Sequence, residues 1–113
     1  MINSCYVVAD VEVDRGPGDE GLAELAVGTW VGVYSTPEQA IRAGSDHWAK
    51  QRAFWTCVWC VSADGTATVL YLIGITPADI GSYGKANGYD FTSVSRLAAA
   101  RAQAVGRLGV LVT

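Results

Sequence analysis

Residues 54–75, FWTCVWCVSADGTATVLYLIGI, decide the fold, because they read either as a thiol site or as a β-hairpin. Cys57 and Cys60 have the C-x-x-C spacing of redox and metal motifs. In thiol oxidoreductases that motif opens a helix, whose N-terminus favours the first thiolate. Here the flanking residues are aromatic and β-branched, and Asp64-Gly65 is a preferred dipeptide for a two-residue type I′ turn. A strand sends residues three apart to opposite faces. Cys57 then lies with Trp55, Trp59 and Val61, and Cys60 with Phe54, Thr56 and Val58, so the sulfurs neither meet nor share a metal. The cysteines read as small buried hydrophobes. A two-residue turn sets Ala63 against Thr66, Trp59 against Leu70, Cys57 against Leu72 and Trp55 against Gly74. The second arm is apolar on both faces, which predicts a central strand covered on both sides.

Upstream, residues 5–13 (CYVVADVEV) alternate with period two. Cys5, Val7, Ala9, Val11 and Val13 share one face, while Tyr6, Val8, Asp10 and Glu12 share another that turns polar. Residues 14–21 (DRGPGDEG) form a surface loop, and 22–27 (LAELAV) are a short strand or one helical turn. Residues 28–34 (GTWVGVY) predict a second strand, with Trp30 set opposite Val31 and Val33. In 35–51 (STPEQAIRAGSDHWAKQ), Thr36 is the N-cap of a helix, Pro37 its first residue, and Gln39 completes a capping box. Ala40, Ile41, Gly44 and Trp48 make its inward stripe, and Glu38, Arg42, Asp46 and Lys50 its exposed side.

Downstream, Thr76 and Pro77 start a short helical turn that Gly81 ends, and residues 82–91 (SYGKANGYDF) form an ordered loop. Thr92 or Ser93 caps a last helix through Leu108, with Val94, Leu97, Ala98, Val105 and Leu108 facing in and Gly109 after it. The closing VLVT suits a terminal edge strand. The pattern predicts an α+β fold: a single-layer, mostly antiparallel sheet of four or five strands, with two main helices packed on one face. A crossover between residues 28 and 62 would place two strands parallel and make the sheet mixed.

Composition narrows function mainly by exclusion. A chain of 113 residues is expected to form one compact domain, residues 1–113. Half its residues are apolar, which opposes disorder, yet no apolar run approaches the roughly 20 residues of a membrane span. The opening MINSCYVVADVEVD lacks a basic leader, and three cysteines leave one unpaired, so the cytoplasm is the default location. Eight scattered Lys and Arg in a chain of net charge −3 give no basic patch for nucleic acid.

No catalytic constellation, metal set or cofactor motif stands out. His47 is the single histidine and reads as a surface residue at the rim of the first helix. Asp10 and Glu12, followed by Asp14, Asp19 and Glu20, offer hard oxygens for Mg²⁺ or Ca²⁺ but match no calcium loop. The simpler reading is that they keep an edge strand soluble. Tyr83, Lys85, Asn87, Tyr89 and Phe91 combine aromatic and adaptable polar groups, the mixture that interfaces favour. Trp55 and Trp59 form a stripe that is either core or contact surface. These features lead to the expectation of a small non-enzymatic binding protein that occupies or blocks a protein partner. Immunity, anti-defence and regulatory inhibitor proteins of bacteria or phages are of this kind. One alternative is a dimeric small-ligand binder using the Trp-lined face or the Tyr83–Phe91 loop. Another is a metal-assisted enzyme built on Asp10 and Glu12.

Overall fold

A computed structural model describes residues 4–15, 22–52, 54–74 and 88–108. Its centre is β1 (Ser4–Arg15), which pairs antiparallel with β2 (Leu22–Tyr34) on one side and β3 (Trp55–Ser62) on the other. Beyond β3 lies β4 (Ala67–Ile73), and beyond β2 the short β5 (Gly88–Asp90), giving the order β4-β3-β1-β2-β5. β5 pairs parallel with β2, so an otherwise antiparallel sheet is mixed at one edge. The chain reaches β3 from β2 through α1 (Pro37–Gln51), passing over β1, so β2 and β3 run parallel with β1 between them. α2 (Thr92–Leu108) follows β5.

The α+β architecture expected from the pattern is present, with both helices packed on the sheet. They do not share a face, however. Val7, Ala9 and Val11 of β1 pack with Cys57, Trp59 and Val61 of β3 against Val94, Ala98 and Ala102 of α2. Val8 and Val58 turn to the other side, where they meet Tyr34 and Ala40 of α1. Strand side chains alternate, and β1 is apolar at consecutive positions from Val7 to Ala9, so each face needs its own cover. Gly44 lets α1 come close: a Cβ there would stand 3.0 Å from Ile73 Cδ1 and 3.3 Å from both Thr56 Cγ2 and Val8 Cγ1.

Several local readings change. LAELAV is strand, as one of its two readings had it, but it is continuous with 28–34 as the first half of β2 and pairs with the far end of β1. Val31 is an extra residue between the Val8–Gly32 and Ala9–Trp30 pairs. This bulge returns Trp30 to the same face as Val33, under α2, and turns Val31 to the α1 side. In α2, Val94 and Ala98 are buried as expected, but Leu97 lies on the flank of the stripe and is half exposed. The Thr36 cap of α1 forms, its hydroxyl accepting from Gln39 N–H at 3.3 Å, while Gln39 Oε1 accepts from Ser35 Oγ. α2 begins at Thr92, whose N–H donates to Asp90 at 2.9 Å, so Asp90 performs the capping expected of Thr92 or Ser93.

The hairpin forms with a different turn. Ser62 N–H donates to Thr66 O, and Gly65 N–H to Ser62 O, which encloses Ala63, Asp64 and Gly65 in a three-residue loop with Gly65 at φ 88°. Asp64 accepts from Thr66 N–H at 2.9 Å, a bond that holds its carboxyl below the usual carboxylate range. The longer loop shifts the register by one, setting Trp59 against Val69. A bulge at Leu70 restores it, and Cys57 meets Leu72 as expected. Among the described residues β4 is not central but the outer strand, with Leu70 45% and Tyr71 51% exposed.

The expected turn at Thr76, the Gly81 stop, residues 82–87 of the expected loop, Gly109 and VLVT lie outside the described residues, and within that loop Gly88–Asp90 are strand, held by pairing with β2. Among the described residues, no helix is long and apolar enough to cross a membrane. Two substitutions test the packing. Trp59→Ala should cost about 3–5 kcal/mol by opening a cavity under α2. Gly44→Val should cost about 1–3 kcal/mol by forcing α1 off the sheet. Both would be read from denaturant unfolding midpoints.

Candidate functional site

Asp10 occupies the middle of β1 and is only 3% exposed, so its carboxylate must be supplied with donors by the protein itself. It is not a solubilising charge on an edge strand. Thr56 Oγ1 of β3 donates to Oδ1 at 3.2 Å, and Gln51 Nε2 of α1 reaches the same oxygen at 3.5 Å. His47 Nε2 donates to Oδ2 at 2.9 Å. An ionised carboxylate only accepts, so the proton of this bond is carried by Nε2. His47 is therefore no mere rim residue: it sits one helical turn before Gln51, and both lean on the same carboxylate.

An aspartate–histidine bond of this kind is also found orienting the base in general-base units. Among the described residues no hydroxyl or thiol bonds the imidazole's other nitrogen, so none of them completes a triad with this pair. Nor does any group of three His, Cys, Asp or Glu side chains among them stand close enough to hold a metal ion. Asp10 and Glu12 share a face of β1, but Asp10 spends its oxygens on Thr56, Gln51 and His47.

Gln51 links this buried cluster to the surface. Its Nε2 also donates to Phe54 O at 3.0 Å, and its Oε1 accepts from Phe54 N–H at 3.1 Å. The two bonds hold the backbone just before β3, with the Phe54 side chain 40% exposed. β3 starts at Trp55, opposite Val11, whereas β1 runs on to Arg15. Where β1 outruns β3 there is an open cleft of about 280 Å³, lined by Val11, Glu12, Val13, Phe54 and Trp55. Val13 is exposed and Trp55 half-buried, so its walls mix apolar side chains with backbone and the Glu12 carboxylate.

The other expected site residues are scattered. Trp59 is fully buried, its indole N–H donating to Ser95 Oγ at 3.1 Å, so it belongs to the core under α2 and not to a contact surface. Trp55 packs at the edge of that core and faces the cleft. Tyr83, Lys85 and Asn87 lie outside the described residues. Tyr89 is paired with Ala23 in β5, and Phe91 packs half-buried against the α2-side core. Cys5, Cys57 and Cys60 are free, with Cys57 in the α2-side core and Cys60 paired across from Tyr6 on the α1 side, as strand alternation requires.

Burial pushes the Cys57 thiol far above its ordinary range, and burial together with neighbouring Cys60 raises that of Cys5. Since the thiolate is the reactive form, Cys57 should resist iodoacetamide in the native protein and label only on unfolding, as followed by mass spectrometry. His47→Ala and Asp10→Asn should each lower stability by about 1–3 kcal/mol. A double-mutant cycle between them should return a coupling of about 1 kcal/mol or more, because the residues share one bond. No known protein family, curated protein or solved structure matches this chain.

Proposed function

We propose that this chain is a small non-enzymatic binding protein that holds a protein partner at the cleft between the end of β1 and the start of β3. The supporting observation is the cleft itself, where Phe54 and Val13 stand exposed beside half-buried Trp55. Its volume, about 280 Å³, falls just below the roughly 300–1,000 Å³ of ordinary small-molecule pockets, and it is open to solvent. Such a cleft suits one apolar side chain anchored from a larger surface. Aromatic anchors in partly desolvated sites carry most interface energy.

Charge specifies the partner further. Glu12 lines the cleft and Asp14 follows it on the exposed end of β1. An apolar anchor flanked by Lys or Arg complements this rim, and opposite charges mainly speed association and select the partner. Gln51 pre-orders the Phe54 backbone through its two bonds, which reduces the entropy lost on docking.

The reading is tested by affinity capture from lysate of the organism that makes the protein, with wild type compared to variants of retained fold. Phe54→Ala should weaken capture of a defined partner about tenfold or more. Glu12→Lys should slow association and flatten its salt dependence, and Leu97→Ala on α2 should change nothing. Capture that is equal for wild type and Phe54→Ala, or absent altogether, would sink the proposal.

A further inference from the structure

We propose that β4 is a dimerisation edge, pairing antiparallel with β4 of a second copy of this chain. The strand reads ATVLYLI over Ala67–Ile73, with no charge and no proline. It is the outermost strand beside β3, and among the described residues nothing pairs with its far edge. Unpaired edges invite association, and proteins blunt them with charges, prolines, bulges or brevity. The opposite edge follows that rule, since β5 is three residues long and ends in Asp90. β4 is seven residues long, and its one interruption is the bulge at Leu70. The residue turned out there is itself apolar: Leu70 packs in neither core, and Tyr71 beside it is half exposed.

A second copy fits this edge for two reasons. An uncharged strand meets no like charge when it pairs with itself, and β-branched and aromatic neighbours are favourable cross-strand pairs. The ends are also electrostatically complementary under a two-fold axis. At the turn end stands exposed Asp64. At the other end, Gly74 lies against the indole of Trp48, over which the Arg52 guanidinium sits 5.2 Å from the ring centroid. Antiparallel pairing brings the acidic end of each copy to the basic end of the other. None of the β4 residues lines the Val13–Phe54 cleft, so this surface and the proposed partner site stand or fall separately.

The test is the mass of the purified protein in solution, by sedimentation or light scattering over a dilution series. Wild type should have the mass of a dimer. Leu70→Lys should give a monomer with unchanged circular dichroism, since it sets two lysines near each other across the axis. Thr68→Lys, at another exposed position of β4, should do the same if the first variant folds poorly. Hydrogen exchange should show β4 amides protected in wild type and released in the lysine variants. A monomeric wild type, a dimer that survives both substitutions, or a β4 edge that pairs only with a different protein's strand overturns the proposal.

Discussion

The alternation of side chains along β1 places Val7, Ala9 and Val11 beneath α2 and Val8 and Asp10 beneath α1, and both cores are organised by it. Because its apolar residues point to both faces, β1 is covered by a helix on each, and it lies between β2 and β3. The crossover through α1 is the topological result, since β2 and β3 must reach opposite sides of β1.

Asp10 is the exception within that strand, and it governs how α1 is attached. The apolar cluster beneath this helix is small, four buried residues against eleven on the other face among the described residues. The C-terminal half of α1 is held by polar contacts to one carboxylate, aided by the close approach at Gly44. A carboxylate in that position would destabilise the fold severely if its donors were removed, so Thr56, His47 and Gln51 form an interdependent set. Because Gln51 also clamps the backbone of Phe54, the buried cluster sets the geometry of the exposed cleft. Interior and surface are joined here by one side chain, and a cleft supported in this way is placed more precisely than a free loop would be.

Much of the frame was legible in local pattern. The period-two run at 5–13, the Thr36-Pro37 start of α1, the opposed faces of Cys57 and Cys60, and the hairpin around Asp64-Gly65 all rest on interactions within a few residues. The candidate site was much less so. Asp10 read with Glu12 as a charge on an edge strand, and nothing local showed that it is buried, since its partners His47 and Gln51 lie 37 and 41 residues away. The cleft arises from the unequal lengths of β1 and β3, visible only once they are paired.

By itself, then, the sequence determined where most of the strands and both helices lie, because periodicity, caps and turn residues act locally, while the full length of β2, the short β5 and the bulge at Val31 depend on pairing. Only the tertiary structure decided where each strand sits. β1 and β4 are both apolar on two faces, and alternation cannot tell a centre from an edge. Strand order depends on long-range pairing, which left β1 flanked on both sides and the outer edge of β4 without a neighbour among the described residues. The same pairing, with a bulge at Leu70 offsetting the three-residue turn, buried Trp59 completely and left Phe54 at the surface.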